Sequence, residues 1–246
     1  MPRLSRKLLF LLSSIAGGSF LLMFHASSAL PSSDLLTSVQ KQVMPALRTL
    51  ATERGAALGR PIYLRLFKES RELEVWMSPE GQSKWKLLKT FPIHTWGGGS
   101  LGPKLAEGDR QAPEGFYEVE AKQMNPNSNY HLSFNIGYPN AFDRAHHRTG
   151  SAIMVHGAKV SIGCFAMTDP GIEEIYVLAH EALAGGQKKF PVHIFPFRMT
   201  PERMAGAEGD ANLPFWKMLQ PAYDSFEKTH SPPVISITGT AYKVGK

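Results

Sequence analysis

A chain of 246 residues with 43% hydrophobic and 20% charged side chains has a globular balance, which excludes a disordered polymer and allows one well-cored domain with additions. The formal net charge of +6 falls to +3 once residues 1–29 are set aside, because Arg3, Arg6 and Lys7 lie there without an acidic partner. No basic cluster interleaved with aromatics follows, so nucleic acid is not an expected partner.

Residues 1–29 join that basic start to an apolar run from Leu8 to Phe24 and to small residues at Ser27 and Ala29. This is a secretory signal layout, with cleavage expected after Ala29 and no stable membrane span afterwards. An uncleaved anchor stays open, since the run is near the short limit for a span. An exported chain with one cysteine, Cys164, cannot close an internal disulfide. Its thiol is buried filler, an intermolecular link, or reactive.

Ser33 and Asp34 are a helix start, and Leu36, Val39, Val43, Leu47 and Leu50 recur at helical spacing, with a kink or division expected at Pro45. From Pro61 the period changes to two. Ile62, Leu64 and Leu66, then Leu73, Val75 and Met77, then residues 84–93 predict three strands of an antiparallel meander. Residues 97–104 are glycine-rich but lack the ending of a phosphate loop, so a tight loop at the sheet rim is expected. Pro113 to Gly115 form a turn feeding a strand over 116–120.

Residues 125–129 read as a polar loop before a strand carrying Tyr130, Leu132, Phe134 and Ile136 on one face. His131 is expected on its solvent side. A long irregular connection over 137–150 holds Asp143, Arg144, His146, His147 and Arg148, and such loops often touch substrate. Adjacent histidines point apart, and no spacing of zinc ligands accompanies them, so no metal is expected. Residues 151–156 form an apolar strand ending at His156, and residues 160–164 return. Thr168-Asp169-Pro170 starts a helix with Asp169 as its cap and Ile172, Ile175, Tyr176, Ala179 and Leu183 as its buried stripe. His180-Glu181 lacks the second histidine of a metalloprotease pair, since position 184 is alanine. A strand over 190–197 and a helix near 215–227 complete the pattern.

Residues 153–167 carry the chemistry. Acyl transfer needs a nucleophile, a proton carrier and donors for the oxyanion. Cys164 is the candidate nucleophile and His156 the candidate base and later acid. Two strand ends joined by a turn would bring them together. Backbone amides around Gly163 and Cys164 are candidate oxyanion donors. Ser161 fails as a nucleophile, since a serine elbow needs glycine where Lys159 stands, and a supporting role in the turn is expected for it.

His156-Gly157, then Ser161-Ile162-Gly163-Cys164 and Met167, resembles the signature of the L,D-transpeptidases with a YkuD-type catalytic domain, cysteine acyltransferases of the bacterial cell wall. Ile162 stands where that family has histidine, Ala166 where it has arginine, and the loop after His156 is short. These departures resemble its YafK-like murein branch, as do Gly102-Pro103-Lys104, Glu107-Gly108-Asp109, the run 113–117 and the tail with Phe215-Trp216 and Tyr223-Asp224. The resemblance implies a mainly β (α+β) fold, a β-sandwich or barrel with peripheral helices. Its expected division is a signal at 1–29, a helical segment at 30–60, a catalytic domain at 61–198 and a C-terminal extension at 199–246. It also implies a periplasmic location, no cofactor, peptidoglycan stem peptides as substrate, and murein lipoprotein as a partner detached by amide hydrolysis. In the family a backbone carbonyl orients the histidine, and Ser161, Gly163 and Gly157 would order the turn. With arginine missing at 166, Arg144 or Arg148 is expected to hold a substrate carboxylate, with Tyr130 nearby. Transpeptidation, which would form cross-links or attach lipoprotein, stays open as an alternative, as does a non-catalytic wall-binding module.

Overall fold

The structure is a computed structural model that describes residues 30–245. The expected export signal at 1–29 lies outside the described residues. Among those described, no helix is long and apolar enough to cross a membrane. Ser33 accepts the Leu36 amide on its hydroxyl and so caps α1 (Asp34–Glu53), with Asp34 in the positive first turn. The helix runs through Pro45 as one element rather than dividing. Leu36 and Val39 before the proline and Leu47 and Ala51 after it share one buried stripe. Packing on both sides outweighs one missing backbone bond.

Strands β1 (Ile62–Phe67), β2 (Glu72–Met77) and β3 (Lys86–Pro92) form the antiparallel meander, with Leu64 opposite Val75 and Val75 opposite Lys89. Every residue of β1 is buried, so both faces of this sheet are covered. Strand β4 (Gly115–Glu120) follows. Residues 125–129 are not a loop, because β5 (Met124–Ser128) pairs with β6 (His131–Asn135) across a register shift. Met124 and Pro126 point inward while Asn125 and Asn127 face solvent. The period-2 signal is present but masked by residues that disfavour strands.

The expected irregular connection contains a short helix, α2 (Ala141–Ala145), capped reciprocally by Asn140 and Asp143. Strand β7 (Met154–His156) lies between β6, antiparallel, and β8 (Phe165–Ala166), parallel, which makes a four-stranded sheet β5-β6-β7-β8. Helix α3 (Asp169–Ala184) buries its predicted stripe. Strand β9 (Lys189–Phe195) joins β1 in parallel and β4 antiparallel, giving a five-stranded sheet ordered β3-β2-β1-β9-β4. Helices α4 (Pro201–Ala205) and α5 (Leu213–Thr229) and the hairpin β10 (Val234–Thr238) with β11 (Ala241–Gly245) complete the chain.

The fold is therefore mainly β with peripheral helices, in the α+β class. Its main core lies between the two sheets, α1 and α3, and includes Leu64, Val75, Phe134, Val155, Ile175 and Val192. A second core, built from Phe67, Phe195, Phe197, Trp216, Leu219 and Tyr223, closes the outer face of the five-stranded sheet under α5. The sheets meet where Thr95 bridges Ala166. That seam carries the candidate site.

Candidate active site

Strands β7 and β8 run parallel with His156 opposite Ala166. The turn between them brings Cys164 back beside Met154, whose N–H donates to Sγ at 3.4 Å, while Sγ donates to the Ala152 carbonyl at 3.7 Å. The thiol is half-buried and unpaired with any other sulfur. His156 is only 3% exposed, and its Nδ1 lies 2.6 Å from the Gly157 carbonyl. A carbonyl only accepts, so Nδ1 carries the proton and Nε2 presents its lone pair. The Tyr130 ring lies over the imidazole at a centroid distance of 4.8 Å, with the tyrosine itself exposed to solvent.

Ser161 ties the turn internally. Its hydroxyl donates to the Cys164 carbonyl at 2.7 Å and accepts the Gly163 N–H at 3.0 Å. The Gly163 amide is thus occupied, which corrects its expected role as an oxyanion donor. The Cys164 N–H makes no hydrogen bond among the described residues and stays a candidate oxyanion donor. Gly163 contributes shape instead: its φ is +139°, and a Cβ there would sit 3.1 Å from the Gln111 carbonyl oxygen.

Two supports were not legible from the motif. Gly97, with φ +106°, packs its Cα against the turn so closely that a Cβ would lie 2.8 Å from the Gly163 nitrogen and would also strike the Arg110 carbonyl. The glycine-rich loop therefore seats the cysteine turn instead of merely closing a rim. Asp169 was expected to cap α3, but the cap position is Thr168, and the Asp169 carboxylate accepts the Ala158 amide at 2.7 Å. It holds the loop leaving His156. A Cβ on Gly157 would fall 2.6 Å from that same carboxylate and 2.7 Å from the Tyr130 carbonyl.

The other expected residues lie elsewhere. Arg148 is buried and bonded to the fully buried Asp143 at 2.9 Å, with its guanidinium over Phe142 and Phe215. Committed to that carboxylate, it is not free for substrate. Arg144 donates to the Pro139 carbonyl and lines a cleft of about 680 Å³ beside β4 and β10, whose walls include no residue of 153–167. His131 does not simply face solvent: its Nε2 lies 2.8 Å from Glu173. His146 Nε2 donates to the Thr240 carbonyl at 2.9 Å.

Burial pushes the Cys164 thiol above its ordinary value, with the Met154 amide and the Lys104 charge pulling it back. Burial also lowers His156, against the opposing pull of its bond to the Gly157 carbonyl. Both shifts favour a neutral thiol beside a neutral imidazole at rest. A neutral imidazole with a free ring nitrogen is the form that can serve as a general base. Gly97→Ala adds backbone strain and overlap at the seat of the turn, so a loss of about 2–4 kcal/mol is expected, measured by chemical denaturation. An unchanged midpoint would contradict the packing described.

The L,D-transpeptidase catalytic domain family, YkuD, matches residues 75–194. The protein named "Putative L,D-transpeptidase YafK" from Escherichia coli strain K12 is 44% identical over 189 residues, covering 77% of this chain and 76% of that relative. The protein of the same name from Escherichia coli O157:H7 gives the same values, 44% identity with 77% and 76% covered. Among solved structures, the helical cell shape determining protein Pgp2 from Campylobacter jejuni is similar at a TM-score of 0.43 and 18% identity, covering 78% of this chain and 80% of that one.

Proposed function

The chain belongs to the L,D-transpeptidase family with a YkuD catalytic domain, and from that premise we propose that it is an exported cysteine enzyme that hydrolyses the amide joining murein lipoprotein to a peptidoglycan stem peptide. The observation that supports this most is that adjacent strands β7 and β8 carry, at one end, a half-buried free thiol and an imidazole whose Nδ1 is spent on the Gly157 carbonyl. In this reading His156 Nε2 takes the Cys164 proton as Sγ attacks the carbonyl of the diamino acid. The Cys164 N–H receives the oxyanion. His156 then protonates the departing amine and a thioester remains. Water attacks it, giving a proton to His156, and the thiol is restored as the carboxylate leaves.

Water is the acceptor in this reading, and Val160 and Ile162 on the turn between β7 and β8 are 64% and 80% exposed. The catalytic unit in this proposal is 61–198, braced by 199–246, and the basic and apolar start at 1–29 directs it to the periplasm. Incubation with muropeptides carrying lipoprotein remnants, and separately with tetrapeptides, is expected to release remnants without new dimers by mass. Dimers without remnant release would overturn hydrolysis in favour of transpeptidation.

The acid limb of the pH profile follows from His156. A base must be unprotonated, and burial lowers this imidazole. The rate constant kcat/KM is expected to stay level down to the ordinary imidazole range, about pH 6.5, and to fall below it. A fall beginning well above that range would count against His156 as the base.

A further inference from the structure

One peptide group stands between His156 and a carboxylate that the reaction proposed above does not use. The carbonyl of the Gly157–Ala158 peptide is the acceptor 2.6 Å from His156 Nδ1, and the N–H of the same peptide donates to Asp169 Oδ1 at 2.7 Å. The backbone around it is laced down by main-chain groups: Gly157 N–H donates to the carbonyls of Tyr130 and Leu132, Met167 N–H to the His156 carbonyl, and Thr168 N–H to the Ala158 carbonyl. Asp169 thus supplies the side-chain bond that reaches this peptide from outside residues 156–158. It does so where the backbone needs holding. Ala158 and Thr168 both sit in the left-handed region, at φ +57° and +64°, which residues with a Cβ adopt only when their surroundings impose it.

We infer that Asp169 is a positioning residue for His156: acting through the Gly157–Ala158 peptide, its carboxylate keeps the imidazole proton on Nδ1 and the lone pair on Nε2. The inference rests on the reading of His156 as the base. A carboxylate that accepts the amide polarises the peptide and makes its carbonyl a stronger acceptor, since hydrogen bonds in a chain reinforce one another. The stronger acceptor favours both the Nδ1–H tautomer and the imidazolium. Titratable groups on the elements packed around the imidazole are Tyr130 before β6 and His131 on it, Lys159 and Cys164 on the turn after β7, His94 beside β8, Arg110 beside Gly163, and Asp169 and Glu173 on α3. His131 engages Glu173 at 2.8 Å. Asp169 is the one among them whose side chain is bonded to the Gly157–Ala158 amide.

The tautomer and the titration midpoint of His156 are read by nitrogen NMR of the full chain labelled at histidine, with the His156 signals identified by their loss in His156→Gln and thermal unfolding as a control. Asp169→Asn keeps an oxygen for the Ala158 amide and loses the charge. Asp169→Ala loses both, and Glu173→Gln removes a carboxylate further along the same helix. The parent is expected to show Nδ1 protonated and Nε2 bare in the neutral ring. Asp169→Asn should keep that tautomer and lower the midpoint by about 0.5–1 pH unit, Asp169→Ala should lower it at least as far and populate the Nε2–H form, and Glu173→Gln should change neither. An unmoved midpoint in Asp169→Asn, a parent ring protonated on Nε2, or an equal shift in Glu173→Gln overturns the inference. Should Asp169→Ala fail to fold, the midpoint in Asp169→Asn decides alone. Because the measurement needs no peptidoglycan and no turnover, its outcome is independent of whether the proposed hydrolysis is found.

Discussion

Cys164→Ala is expected to leave a folded protein that releases no lipoprotein remnant, with turnover lower by about 10³-fold or more. The side chain is half-buried and its two hydrogen bonds are weak, long sulfur contacts to backbone groups, so its removal costs little stability. What it removes is the atom that becomes acylated in the proposed reaction. His156→Gln should cost about 10²–10⁴-fold, because glutamine keeps a donor for the Gly157 carbonyl but has no lone pair that can be protonated near neutral pH. The two losses act on one step and should not multiply in the double variant. Retained turnover in Cys164→Ala would make the thiol a bystander and leave a binding module or another nucleophile.

Lys68→Met should destabilise the fold by about 3–5 kcal/mol, the cost of leaving one member of a buried ion pair alone. Lys68 and Glu114 are both fully buried, with Nζ 2.9 Å from Oε1. The ammonium spends its other protons on the carbonyls of Gly102 and Ala112. Glu114 in turn accepts the Gly102 amide and the Trp216 indole N–H. This one cluster fastens the glycine-rich loop, the turn before β4 and helix α5. Thermal unfolding should drop on the order of 10 °C for a chain of this size. The double variant Lys68→Met with Glu114→Gln should recover part of the loss, since no unpaired carboxylate then stays buried. A single variant as stable as the parent would contradict the pairing.

Local periodicity made much of this architecture readable. The stripes of α1 and α3 and the alternation of β1 and β2 follow from residues that lie close in sequence and face one core. Strand β5 escaped because Asn125, Pro126 and Asn127 suit a turn, and only pairing with β6 and the bond from Ser33 to the Pro126 carbonyl hold them extended. Pro45 misled in the other direction, since the burial that keeps α1 whole is tertiary.

The site divides in the same way. Cys164, His156, Ser161 and Gly157 lie within nine residues, and a local motif could carry them. The partners of Arg148 could not be read so, because the burial of Asp143 depends on Tyr117 and on the aromatic residues around α2. Asp169 carried an unambiguous cap signal, and its neighbour Thr168, at φ +64°, moved it one position into the helix and freed its carboxylate for Ala158. Gly97 offered a signal in the run of three glycines, but what they approach lies more than sixty residues away.

Acylation of Cys164 is the central step of the proposed reaction, and intact-protein mass spectrometry tests it most directly. The full chain is mixed with stem peptide carrying the lipoprotein remnant, quenched with acid within the first turnovers, and compared with Cys164→Ala. A stem-peptide adduct that maps to Cys164, is discharged by hydroxylamine as a thioester should be, and is missing from the alanine variant is the predicted result. Remnant release at the parental rate by the alanine variant, or an adduct on any other residue, would contradict it.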